Sequence, residues 1–414
     1  MPRPTAWPLA RLALLLPLLG PGEAPGQDGG RDRIEREAAA QAARADALLK
    51  EGKHAAALTL YRAERASRKA VGDARYEAYA LRGVGCCLAA LGDDDAAVVA
   101  FAEAREIDAG REDRGFTGYD GLLKAQAEVR LGRAADAAKT LERAVPDLGQ
   151  AVDRDHECDA RIALASARLS LGEPERAAAD AARAIALAEE LDDPRRLADS
   201  WLAAGIVDRE LGRLGLALDR IHDARDAYRD QGRAADAARA TRHLADLSYR
   251  LGNTSRAARR FEEAAEAHAK LGDAAAEADC RLELASVRLD LGDPAASARE
   301  AARARDGFLA AGDDPAAIEA TVVLAQAQSA TKDGLGTAAE TIRGALARAD
   351  RALRDAPADR VRLLLLSAEL EHRLARPAET TARLDQAGKA ADRAGDGALR
   401  LAVDAARARL TPEP

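Results

Sequence analysis

The chain has 414 residues, a net charge of −8, 48% apolar residues and 3% aromatics. An acidic balance with so few rings lacks the basic, ring-rich footprint of a nucleic-acid binder. Ala, Leu, Arg, Glu and Asp dominate and strand formers are sparse, so the composition favours closely packed helices over a large globular core.

The N-terminus stands apart. Arg3 and Arg11 flank its start, Leu12 to Leu19 form a short apolar core, and Gly20 to Gly26 break it. This is the shape of a secretory signal peptide. The apolar run falls well short of the ~20 residues that span a bilayer. Cleavage after Gly26 would put Ala24 at −3. The expectation is a signal peptide over residues 1–26, a linker over 27–31, and an exported chain, periplasmic, in the cell envelope or secreted. No Cys follows the apolar core, which argues against a lipid anchor, and no integral membrane segment is expected.

From residue 32 the chain repeats itself. Leu-Gly occurs at Leu91-Gly92, Leu131-Gly132, Leu171-Gly172, Leu211-Gly212, Leu251-Gly252 and Leu291-Gly292, always 40 residues apart. Seven residues before each Gly stands a small residue: Ala45, Gly85, Ala125, Ala165, Gly205, Ala245, Ala285. Five after it stands another, from Ala57 and Ala97 to Ala257 and Ser297. Four further on the row reads Tyr61, Phe101, Leu141, Ala181, Ile221, Phe261 and Ala301. A second turn lies half a period away, marked by Gly72, Gly110, Gly232, Gly272 and Gly312, and once by Asp192-Asp193-Pro194. Gly suits the left-handed residue that closes a helix, and Asp or Pro suits the start of the next. Pro146 predicts an early end to one helix, with a looser segment from Asp147 to Asp155. After Gly334 the register drifts, and Ala375-Arg376-Pro377 makes a turn about three residues late. Ala398 to Leu410 reads as a capping helix before a tail over 411–414.

Each row has a physical task. The small residue before each turn lets two helix backbones approach, and the Ala row on the second helix receives that approach. The Tyr, Phe or Leu row fills the gap between one hairpin and the next. A single hairpin cannot bury both its faces, so the hairpins must stack.

These rows resemble the tetratricopeptide repeat. The clearest unit runs Leu81, Val84, Gly85, Leu88, then Gly92, Ala97, Phe101 and Ala104, and Trp201, Ala204, Gly205, Gly212, Ala217 and Ala224 nearly match it. The usual repeat has 34 residues; units of 40 look like the longer-helix variety of kinesin light chains and related adaptors. The resemblance implies an all-α, right-handed α-solenoid of antiparallel helix hairpins over residues 32–410. It would hold about eight to nine repeats and a C-terminal capping helix. It also implies that the first helix of each hairpin lines a concave groove. Chaperone-binding members use Asn on that face. The equivalent row here reads Asp46, Cys86, Gln126, Ser166, Ile206, Asp246, Ser286 and Gln326, so that ligand does not carry over.

Little else suggests chemistry. The six His are scattered, and the densest mixed run is Asp153, Asp155, His156, Glu157, Cys158 and Asp159. Acidic residues at a helix start explain it better than a metal does. Gly83-x-Gly85 lacks a nucleotide loop's other glycines and reads as one packing Gly with a neighbour. Cys86, Cys87, Cys158 and Cys280 fall too far apart in the register for a bridge that needs Cα atoms within about 7 Å. No cofactor, metal or catalytic residue is expected.

The functional expectation is a non-catalytic protein-interaction scaffold or adaptor of the cell envelope. The groove face is expected to carry Tyr79, Arg82, Tyr119, Gln126, Asp159, Ser166, Asp199, Arg239, Arg242, Asp246, Tyr249 and Asp279, with Glu319 at a further helix start. Its acidic residues suggest an extended or helical partner segment carrying basic groups. The alternatives are a sensor subunit whose effector lies on another chain, and an enzyme subunit with a site spread across units.

Overall fold

In a computed structural model of the chain, residues 30–352 and 357–411 are described. The expected signal peptide and most of the linker lie outside them. The described residues form nineteen helices and no strand. None of these helices is long and apolar enough to cross a membrane.

The helices fall into two compact units. The first holds α1 (Arg31–Lys50), α2 (His54–Ala70), α3 (Ala74–Ala90), α4 (Asp94–Gly110) and α5 (Arg114–Arg130). It continues with α6 (Ala134–Gln150), α7 (Arg154–Ser170), α8 (Pro174–Glu190), α9 (Pro194–Glu210) and α10 (Leu214–Asp230). The second holds α11 (Ala234–Arg250), α12 (Thr254–Lys270), α13 (Ala274–Asp290), α14 (Pro294–Ala311) and α15 (Asp314–Ser329). It ends with α16 (Leu335–Ala352), α17 (Pro357–Arg373), α18 (Pro377–Ala394) and α19 (Gly397–Leu410). Odd-numbered helices open hairpins and even-numbered ones close them, up to the terminal α19. Within each unit a helix packs on its sequence neighbours, and first helices also adjoin first helices, as α7 does α5 and α9.

The turns explain the strict spacing. Gly92 is left-handed (φ 85°), and the Asp93 N–H reaches back to the Leu88 carbonyl at 2.9 Å, closing the helix. The Asp93 carboxylate then accepts the Ala96 N–H at 3.1 Å and opens the next one. Gly110 does not do this. It is the last residue of α4, and Glu112 takes the left-handed conformation (φ 58°) instead. Val152, Asp192 and Ala375 fill the same position at other turns. The turn is imposed by the packing of the two helices even where no glycine relieves it.

Pro146 does not end its helix. α6 runs through it to Gln150, and α7 starts at Arg154, so no loose segment exists. Leu141, Val145 and Leu148 are buried on the inner face, while Pro146 and Glu142 are exposed. The carbonyl that Pro leaves unpaired therefore faces solvent, where water serves it.

The small residue before each turn has a second task. A Cβ on Gly85 would stand 2.5 Å from the Phe101 ring of its own hairpin, and one on Gly205 would stand 2.5 Å from Ile221 Cγ1. At these two positions the small residue seats the large side chain of the same hairpin, and at Gly205 the Ala217 backbone oxygen also lies 3.3 Å from such a Cβ, so the expected close approach of backbones is kept there. Gly83 has its own task, because a Cβ there would lie 2.6 Å from the Tyr61 ring of the preceding hairpin. Phe101 also joins a buried cluster with Leu123 and Ala127 of α5, so one ring serves two hairpins.

Candidate partner-binding face

In the first unit, most of the expected face residues are already committed to one another. Asp46 accepts both the Tyr61 hydroxyl and the Tyr79 hydroxyl, the latter at 2.9 Å. Tyr119 lies on the His156 ring, with centroids 4.3 Å apart. The Asp159 carboxylate takes the Arg196 guanidinium through two contacts of 3.0 Å. Asp199 accepts the Tyr228 hydroxyl at 2.9 Å. Ser166 bonds the Ile162 carbonyl of its own helix, and Gln126 is half-buried. These contacts stitch α1 to α3, α5 to α7, and α7 to α9 along one side.

Arg82 is a correction. It is buried, with 5% of its surface exposed, and faces no groove. Its Nη2 donates to Asp108 at 2.7 Å, its Nε lies 2.8 Å from Asp120, and its guanidinium sits 4.3 Å over the Phe116 ring. Burial raises the Asp120 carboxyl well above its ordinary range; Arg82 opposes that and Asp108 adds to it. Arg82 locks α3 to α4 and α5.

Glu64 lies close by, fully buried on α2. Neither carboxylate oxygen has a hydrogen-bond partner among the described residues, and Arg68 Nε stands 3.8 Å away. Burial pushes the carboxyl up to about 8, against the pull of Arg68. Between the ordinary carboxylate value and 8 the folded chain holds a proton that the unfolded chain has lost. This contribution to stability is therefore fully present below the ordinary carboxylate value and declines as pH rises from there to about 8. Each tenfold change in proton affinity is worth about 1.4 kcal/mol, so the loss between mild acid and mild alkali is on the order of 3 kcal/mol. Urea unfolding should show a lower midpoint at about pH 9 than at about pH 5.5, and Glu64→Gln should flatten most of that slope. An unchanged slope would refute this role for Glu64.

The second unit presents a different face. Arg239 donates to Asp236 at 2.8 Å, Asp246 takes Arg250 at 3.2 Å, and Tyr249 bonds Asp290. Asp279 and Arg242 face one another without a hydrogen bond between them among the described residues, and Asp279 is raised by burial while Arg242 opposes it. Between them and α15 lies Glu283, which is exposed by area. The surrounding helices displace water around it and raise its carboxyl. Arg242 opposes that shift, and Asp246, Glu319 and Asp279 add to it. Arg242 thus faces Asp279 and Glu283 of α13, while Asp246, already held by Arg250, and Glu319 of α15 add their charge at Glu283. Glu283 is absent from the face expected from sequence, though it is the only carboxylate in a row that reads Ala43, Gly83, Leu123, Ala163, Ala203, His243, Glu283 and Val323.

The mixed run on α7 is dispersed. Asp153 caps its helix and holds His156 Nδ1 at 2.7 Å, Glu157 pairs with Arg154 and Arg161, and the Cys158 thiol donates to the Ala184 carbonyl. All four cysteines are free and buried, and burial pushes each thiol up to about 12.

Residues 109–306 match the family described as soluble NSF attachment protein, SNAP. No curated protein matches the chain. Among solved structures, the chain is similar to a signal transduction ATPase with numerous domains and a tetratricopeptide repeat sensor from Pyrococcus horikoshii. That match has 16% identity, 86% of this chain, 54% of that chain and a TM-score of 0.63. The chain therefore spans about half the length of that protein. It is also similar to the apo quorum sensor NprR from B. thuringiensis, at 13% identity, 86% and 99% of the two chains, and a TM-score of 0.57. A Rap protein complexed with competence and sporulation factor follows at 14% identity, 87% and 98%, and a TM-score of 0.52. At such identities the likeness is one of fold.

Proposed function

We propose that this chain, whose fold is that of the tetratricopeptide-type repeat proteins, is a non-catalytic scaffold that captures a partner protein through its first-helix faces. The carrying observation is that Asp279, Glu283 and Glu319 gather with Asp246 about Arg242, and of the four only Asp246 has an ion pair of its own among the described residues, with Arg250. Bringing a cation to that face relieves mutual repulsion, so a partner segment with Lys or Arg gains where a neutral one does not. Tyr249, 43% exposed, adds an aromatic surface beside it. Most first-unit residues expected on this face, and Arg239, Asp246 and Tyr249 of the second unit, are spent on internal pairs, so we place the main contact at Asp279, Glu283 and Glu319. The chain is further proposed to be a long-unit form of the repeat, exported by its N-terminal segment and acting in the cell envelope.

The test is capture of partners from a native-host extract by the full chain and by Asp279→Asn/Glu283→Gln/Glu319→Gln. Loss of captured partners by about tenfold, with a similar loss at high salt, supports the reading. Unchanged capture sinks it. A second reading, a sensor subunit acting on an effector carried by another chain, draws on the likeness to a tetratricopeptide sensor and a quorum sensor.

A further inference from the structure

In six consecutive hairpins a polar bridge ties the first helix to the second. Thr140 holds Lys124 at 3.0 Å and Glu128 at 2.9 Å, and Arg161 and Arg168 both hold Asp180. Arg220 holds Asp208, Arg260 reaches Ser248 at 2.7 Å, Arg281 reaches Glu300 at 2.7 Å, and Thr341 reaches Gln328 at 2.9 Å. The second-helix row reads Thr140, Asp180, Arg220, Arg260 and Glu300, and in the two hairpins before them it reads Leu60 and Ala100. Beneath Ala100 the first-helix row that later reads Glu128, Arg168, Asp208, Ser248, Arg288 and Gln328 reads Leu88, Leu81 stands in a row that carries Arg161 and Arg281, and Val84 stands in a row whose only later polar residue is Lys124. Val99 is 57% exposed at a row position that later reads Lys139, Ala179, Asp219, Arg259 and Arg299.

The bridge is therefore missing from α3–α4, and a groove of about 690 Å³ opens there between α2 and α4 with α3 as its floor. Arg65 crosses it to Glu103. Arg62 and Lys69 stand exposed on its α2 lip and make no ion pair or hydrogen bond among the described residues. A need of stacking would recur in the hairpins that follow; this departure does not. An apolar floor beside two unspent cations fits an amphipathic ligand of negative charge.

We propose that this second-helix groove is a docking site, separate from the first-helix face, for an acidic amphipathic segment of a partner protein. The segment seats an apolar side chain against Val99 and sets carboxylates on Arg62 and Lys69. Neither a neutral nor a basic segment would use both features.

The test pans a phage-displayed library of random dodecapeptides on the full chain, with counter-selection on Val99→Asp. That position is exposed, and circular dichroism checks that the variant stays helical. The expected clones carry apolar residues flanked by Asp or Glu and lose about tenfold or more affinity on Val99→Asp and on Arg62→Glu/Lys69→Glu. They bind Asp279→Asn/Glu283→Gln/Glu319→Gln unchanged, which separates this groove from the first-helix face. Discriminating clones that are basic or neutral, or no discriminating clone, would overturn the proposal. So would Val99-dependent pelleting with phosphatidylserine vesicles, or a Val99-dependent dimer in sedimentation, since each names a different occupant.

Discussion

Arg82→Met destabilises the first unit by about 3 kcal/mol or more, the scale expected when one member of a buried charge group is removed. The substitution keeps the side-chain length and leaves Asp120 without its one close cation, while Arg111 still holds Asp108 at 2.6 Å. Arg82→Lys recovers little, because a single ammonium cannot meet Asp108 and Asp120 from separate nitrogens and stack flat on Phe116. Arg82→Met/Asp120→Leu recovers most of the loss, since removing both charges removes the desolvation cost together with the attraction. Urea unfolding followed by far-ultraviolet circular dichroism measures all three. A loss below about 1 kcal/mol for Arg82→Met would mean that Arg82 is solvent-facing after all.

The second large effect falls on the small-and-large pair. Phe101 is fully buried and touches both its own hairpin and the next. Phe101→Ala costs about 3–5 kcal/mol through lost transfer energy and the cavity left behind. Gly85→Ala costs about 1–3 kcal/mol by overpacking, because the ring it would strike is enclosed and has little room to retreat. Gly85→Ala/Phe101→Leu is then less destabilised than the sum of its parts, since the smaller side chain makes room for the added methyl. Strict additivity would show that the two positions are not seated on one another. Ala245 opposite Phe261 shows that the pair can exist with a methyl when the surrounding helices are set for it.

The hairpin architecture can be read from the chain because its turns use glycine at a fixed interval, and a left-handed residue is costly for anything else. The same logic misplaces one turn. Gly110 marks it by residue type, yet the left-handed residue is Glu112, held there by packing that no single residue type reports. Pro146 misleads for a related reason: a helix breaker on the solvent side of a well-buried helix breaks nothing. The rows name the small and large residues, but a row does not say which neighbouring helix a side chain meets. Hence the row assigns Phe101 to the gap between hairpins and hides its fit against Gly85 in its own hairpin.

The candidate face is legible in position more than in state. Tyr79, Asp159 and Asp199 lie on first helices as expected, but each spends its polar group on a residue from another helix. Arg82 has the same charge as Arg242 and an equivalent place in its repeat, yet one is buried among carboxylates and the other borders an open acidic group. Only the neighbours distinguish them, and those neighbours come from different helices. Glu283 and the apolar break at Ala100 are the reverse case. Both stand out in the rows once each row is compared down its whole length.

The most direct test is hydrogen–deuterium exchange of the full chain, alone and with a captured partner. The account predicts added protection in the first helices of the second unit, over residues 239–249, 279–290 and 319–326. Protection confined to the second helices, with those segments exchanging as in the free chain, would contradict it.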